Sequence, residues 1–308
     1  MKIGVIGLGD IAEKAHLPVL TQLSDIELVF CTRNAERVAQ LAAKYRVSET
    51  CTDYRQLLTF DIDAVMIHSA TFSHFEIAHF FLSQGLPVFV DKPLSDNYAD
   101  CEILHELAEI KSLPLFMGFN RRYIPLFNKS MPNYQIGNET EQPLLSLRWE
   151  KHRHNLTGDV RTFVFDDYIH PLDSVNIDAT VKAEDLHIIR QFDGDQLARL
   201  DVQWQNKQTM YHASMHRLHG CTQEIVTANY RNQTFQFDSF VTGKQWVGGV
   251  ESRVQSPDWT PMLATKGFHA MHEHWASVVE SGKQDSQLTA RNLHSHYLCE
   301  QICQRLTR

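Results

Sequence analysis

Three groups of residues in this sequence have types and spacings suited to chemistry. Directly after the apolar, β-branched run 2–6 stands Gly7-Leu8-Gly9-Asp10-Ile11-Ala12, a G-x-G-x-x-A pattern. In such a pattern Gly7 allows a tight strand-to-helix turn and Gly9 lets the backbone approach a pyrophosphate. Ala12 keeps the helix close to the sheet, while the helix opened by Asp10 and Ile11 points unsatisfied N–H groups at the anion. The second group is Asp91-Lys92-Pro93, at the end of another apolar run. The third is Asp166-Asp167-Tyr168-Ile169-His170, in which Asp166 and His170 stand four residues apart.

On a helix, that spacing puts Asp166 and His170 on one face, where a carboxylate would fix the tautomer of an imidazole and raise its basicity. On spacing alone a plainer reading comes first: acidic residues favoured at a helix N-terminus, followed by a packed histidine. Lys92 at a strand's carboxyl end would hold a hydroxyl oxygen and stabilise developing alkoxide charge; a surface lysine before a loop proline is the plainer alternative. The run Lys151-His152-Arg153-His154 suits a carboxylate or phosphate of a substrate, and suits an exposed basic strand end equally well.

These residues need elements to position them. Apolar runs at 26–31, near 47, and at 63–67, 86–90 and 114–117 alternate with helical patterns at 35–45, 54–58, 75–84 and 97–111. Alternation of this kind predicts a doubly wound parallel sheet over the first 120 residues, with ligands at the carboxyl ends of its strands. Ser69, His74, Lys92 and Asn120 all fall at such ends. The second strand runs into Thr32-Arg33-Asn34 and carries no terminal carboxylate to repel a 2′-phosphate, so NADP is expected over NAD, with Arg33 and Thr32 at the ribose. From Pro143 the pattern changes to period two, with Leu147 and Trp149 alternating with Arg148 and Glu150. Further strand-like runs at 186–192, 196–205, 209–218, 222–230 and 233–237 predict a largely antiparallel sheet with one open face.

Val90-Asp91-Lys92-Pro93-Leu94 after the glycine turn, the loop from Ser69 to His74, Gly118-Phe119-Asn120-Arg121-Arg122 and Asp166-x-x-x-His170 together resemble the glucose–fructose oxidoreductase / inositol dehydrogenase / MocA family. The wording of 68–71, 118–122 and 150–153 is most similar to its MviM-like branch. The resemblance covers nearly the whole chain. It implies a Rossmann α/β domain (1–122 with about 265–308) and an α+β substrate and oligomerisation domain (123–264), whose sheet often forms a dimer interface. It also implies hydride transfer between a nicotinamide dinucleotide and a sugar, cyclitol or similar polyhydroxy compound. Lys92 and His170 would handle the hydroxyl proton and Asp166 would orient His170, while Asp91, Ser69, His74 and Asn120 would join the cofactor residues. Arg153 and Tyr168 would face the substrate, Tyr168 because it stands where the family usually has glycine. Tyr168 and the missing glycine-rich approach to the Asp-x-x-x-His pair keep one rival open, and a second stands beside it. One is a nucleotide-binding regulator without turnover; the other is a cofactor-assisted lyase or glycosidase.

The formal charge of −8, with no basic stripe, argues against nucleic acid and anionic membranes as partners. None of the six cysteines has C-x-x-C spacing. His269, His272 and His274 lack acidic or cysteine partners at ligand spacing, so no metal site is expected. With no cleavable leader pattern and no apolar run long enough to span a bilayer, a cytoplasmic protein is expected, and the resemblance implies a homodimer or higher homo-oligomer.

Overall fold

The computed structural model describes residues 1–131 and 143–307. They divide into two compact units, 1–119 with 268–289, and 120–267 with 290–308.

The first unit holds a six-stranded parallel sheet: β1 (Lys2–Ile6), β2 (Glu27–Cys31), β3 (Glu49–Cys51), β4 (Ala64–Ile67), β5 (Val88–Val90) and β6 (Leu115–Met117). Their order is β3-β2-β1-β4-β5-β6, so the direction of winding reverses between β1 and β4. β4, β5 and β6 are buried at every position, as strands covered on both faces must be. The helices between them start where side chains cap them. Asn34 accepts from the Arg37 amide to open Ala35–Tyr45, and Asn97 accepts from the Ala99 amide to open Tyr98–Lys111. Helix Phe268–Ser281 belongs to this unit, stacks His272 on Phe89 and sets Trp275 at a tilt against the same ring.

The second unit is built on an eight-stranded sheet: β7 (Ser146–His152), β8 (His187–Asp193), β9 (Gln196–Asn206), β10 (Thr209–His216), β11 (Gln223–Tyr230), β12 (Gln233–Phe237), β13 (Thr242–Val247) and β14 (Val250–Gln255). Its order is β14-β13-β12-β11-β7-β10-β9-β8, antiparallel throughout except for the parallel β7–β10 pair. The expected alternation is present in β7, where Leu147 and Trp149 are buried and Arg148 is exposed. Helix Ile169–Val175 packs on β7 and β10.

Residues 290–308, expected from the sequence in the first unit, lie in the second. Ion pairs and hydrogen bonds hold them there. Ser295 donates to Asp173 at 2.8 Å, Arg291 donates to the Asp173 carbonyl, and Arg161 makes a two-pronged pair with Glu300 at 3.0 Å each.

Candidate active site

The carboxyl ends of β1, β2 and β4 surround a cleft of about 680 Å³ at the reversal point of the first sheet. Gly7 sits at φ +86°, and a Cβ there would lie 2.4 Å from the Ser69 amide nitrogen. Only glycine lets β1 pass this close to the end of β4. Gly9 differs, because a Cβ on it would meet nothing within 4 Å. Its bareness serves nothing inside the protein, which is what a backbone approached by a pyrophosphate requires. The residues present therefore fit a dinucleotide. Asp10, exposed, pairs with Lys14; Ile11 and Ala12 open the helix, with Ala12 fully buried against the sheet.

Gly7, Gly9, Thr32, Arg33 and Ser69 line the cleft. Arg33 is exposed and is not matched by a carboxylate at the end of β2. Asp53, Tyr54, Arg55, Phe72 and Glu76 also line it. Tyr54 donates to Glu76 at 2.7 Å, and the Arg55 guanidinium donates to the same oxygen and stacks over the Tyr54 ring. These residues were missed because no recognisable spacing ties 53–55 to the glycine turn, and Phe72 and Glu76 carry no motif of their own.

Three expected cofactor residues have other work. His74 uses both ring nitrogens on backbone carbonyls, Nδ1 with Pro93 at 2.8 Å and Nε2 with Ser69 at 2.9 Å, and so ties the loop after β4 to the loop after β5. Asp91 accepts from the Lys92 amide through Oδ1 and turns Oδ2 toward His16, 3.7 Å away. Asn120 lies in the second unit and donates to the Lys266 carbonyl at 2.8 Å. Lys92 is half-buried at the end of β5, before a cis Lys92-Pro93 bond.

In the second unit His170 is buried on helix Ile169–Val175, and its Nδ1 lies 2.8 Å from Arg121 Nη1. A guanidinium only donates, so Nδ1 accepts and the neutral ring carries its proton on Nε2. Arg121 is itself held by Glu224, which also accepts from the Trp149 indole at 3.1 Å. Asp166 is exposed. Its neighbour Asp167 is buried and accepts from Lys151, Arg153 and Arg217. Burial alone would raise the Asp167 carboxyl, but the Lys151 charge and the Arg153 bonds hold it well below the ordinary range. Burial, helped by the Arg121 charge, draws the Lys151 ammonium down to about 7.

Tyr168 corrects the expectation of a substrate contact. It is 0% exposed, and its hydroxyl donates to the Ala213 carbonyl at 2.9 Å. A phenol fully enclosed between helix and sheet, with its one proton committed, is core structure.

Residues 1–119 match the family model described as oxidoreductase family, NAD-binding Rossmann fold, and residues 132–244 match a YceM-like C-terminal domain. The crystal structure of a Gfo/Idh/MocA family oxidoreductase from Vibrio cholerae is 55% identical, covers 100% of this chain and 98% of its own, and superposes with a TM-score of 0.96. The chain belongs to the Gfo/Idh/MocA oxidoreductase family. A dehydrogenase (MviM) from Clostridium difficile is 30% identical over 99% of each chain, with a TM-score of 0.87. Myo-inositol 2-dehydrogenase of Thermotoga maritima is 34% identical over 131 residues, 42% of this chain and 39% of that one. The family assignment makes the chain an oxidoreductase with an NAD-binding Rossmann fold over residues 1–119. Among the described residues no helix is long and apolar enough to cross a membrane.

Proposed function

We propose that this oxidoreductase acts on the hydroxyl or carbonyl carbon of a sugar, cyclitol or similar polyhydroxy compound, with NADP preferred over NAD. The observation that carries the reading is Lys92 at the end of β5, in a chain whose glycine cleft is built for a dinucleotide. The bound nicotinamide supplies the hydride acceptor or donor. Lys92 holds the reacting oxygen and exchanges its proton, in the manner of a general acid–base residue. His170, protonated at Nε2 because Arg121 occupies Nδ1, offers a hydrogen-bond donor at that nitrogen. This replaces the base role expected of His170 from sequence, since a nitrogen that already carries a proton accepts no other. Asp166 does not enter this assignment. Arg153, paired with Asp167 and still partly exposed, favours substrates bearing an anionic group.

The exposed Arg33 beside Thr32 supports the 2′-phosphate preference. The inositol dehydrogenase among the relatives supports the polyhydroxy substrate class. A cavity of about 820 Å³ on the open face of the second sheet, lined by Arg148, Glu150, Gln203, Met210, His212 and Asn229, supports self-association through that face. The rival reading as a regulator loses one of its grounds, because Tyr168 fills the core and leaves any substrate space untouched. Nicotinamide absorbance with a panel of cyclitols, sugar phosphates and nucleotide sugars tests the reading. Turnover that disappears in Lys92→Ala, with dinucleotide binding retained, supports it; turnover undiminished in that variant contradicts it.

A further inference from the structure

Under the end of the first sheet lies a group of buried polar side chains that the oxidoreductase chemistry does not use. His16 comes from the helical turn after the glycine loop, His68 follows β4, Asp91 follows β5, and His272 comes from helix Phe268–Ser281. His16 and His272 are 0% exposed and His68 is 4% exposed. Gly118 makes the room for Asp91, since a Cβ there would lie 2.9 Å from Asp91 Oδ1.

Buried polar atoms are nearly always hydrogen-bonded, so exceptions call for a cause. Here four ring nitrogens are without partners: His16 Nε2, both nitrogens of His68, and His272 Nδ1. The His16 and His68 rings stand 4.0 Å apart at their centres. One donor atom each from His16, His68 and Asp91 lies within 4.8 Å of the other two. Tetrahedral zinc sites with nitrogen and oxygen ligands have donor separations of about 3.3 Å, so small side-chain movements would close the set on a cation.

We propose that His16, His68 and Asp91 bind a divalent transition-metal ion of the zinc type, with a fourth coordination position left open. The hydrogen-bonding pattern suits this. His16 Nδ1 lies 3.2 Å from His272 Nε2. With His16 donating there, its Nε2 presents a lone pair on the side of Asp91 Oδ2, in the arrangement that orients most metal-bound imidazoles. His68 also lines the dinucleotide cleft, which gives an ion a way in. A nitrogen–nitrogen–oxygen set selects zinc, cobalt or nickel over magnesium and calcium, which prefer oxygen alone. The ion would join the ends of β4 and β5 to the glycine-loop helix.

The test is titration of the chelator-treated full-length protein with Co²⁺, followed by its visible absorption and by metal analysis, and repeated with Zn²⁺ in competition. One tightly bound equivalent with a tetrahedral-type spectrum is expected, displaced by Zn²⁺ and accompanied by a rise in Tm. His68→Phe keeps the ring volume and removes two partnerless nitrogens. It should lose that equivalent, while its Tm in chelator stays at or above wild type. His272→Gln should weaken binding by roughly 10–100-fold. His187→Ala, at an exposed histidine, should bind as wild type does. Absence of uptake by the wild type, or uptake unchanged in both His68→Phe and Asp91→Asn, overturns the proposal.

Discussion

Nη1 of Arg121 lies 2.8 Å from Nδ1 of His170, and the same guanidinium is gripped by Glu224. The contact sets which nitrogen of His170 bears the proton, and it makes Arg121 a positioning residue. Arg121→Met would remove the guanidinium paired with the buried Glu224, at a cost of about 3–5 kcal/mol. Arg121→Met combined with Glu224→Gln should recover most of that stability in urea denaturation. It should still show kcat reduced by about 10²-fold, with KM for the dinucleotide unchanged, because the imidazole is no longer aligned.

The two glycines of the turn should separate cleanly. Gly7→Ala places a Cβ against Ser69 at a left-handed φ, so it should lower stability by about 1–3 kcal/mol or more. Gly9→Ala meets open space, so its thermal unfolding without ligand should match wild type within about 0.5 kcal/mol. Its dinucleotide binding should nevertheless be lost, because the methyl occupies the path of the pyrophosphate. Calorimetric titration of both variants checks the pair.

Arg33→Ala should weaken NADPH binding by about 10–150-fold, the worth of a hydrogen bond to a charged group (about 1.5–3 kcal/mol), and leave NADH unchanged. Fluorescence titration with the two dinucleotides reads this directly. Equal loss for both would remove Arg33 as the selector.

Acid should weaken the protein before its carboxylates titrate. His296 is fully buried, and burial draws its imidazole down to about 4 from an ordinary 6.5, with the Asn292 carbonyl pulling the other way. The unfolded chain therefore binds a proton that the folded one refuses between pH 6.5 and about 4. Stability falls as pH drops through that window, by up to about 1.4 kcal/mol per pH unit from this group. His296→Leu should flatten the slope of urea midpoint against pH between 6.5 and 5. Depressed carboxylates such as Asp173 and Asp167 add their own loss only as pH falls below about 4.

Local chain chemistry made the first half legible. β1, the glycine turn and the alternating strands and helices each announce themselves within a dozen residues. The hairpin β13–β14 was missed because β14 is exposed along nearly its whole length and lacks alternation. Its turn, Gly248-Gly249 with both φ positive, was the usable signal. Tyr168 was misplaced because a departure from the family's glycine was read as pocket chemistry, while the residue points into the core. The Arg121–His170 contact, the Asp167 cluster and the grouping of His16, His68 and Asp91 join residues from separate elements. No spacing in the sequence encodes them.

We assign to Lys92 the proton transfer in a dinucleotide-dependent oxidation or reduction of a polyhydroxy compound. The most direct measurement is a single-turnover nicotinamide absorbance trace with saturating NADPH or NADP⁺ and an active compound from the substrate panel, wild type beside Lys92→Ala. The predicted result is a hydride-transfer rate lower by about 10²–10⁴-fold in the variant, with an unchanged dinucleotide Kd. Equal rates in the two proteins would contradict the claim.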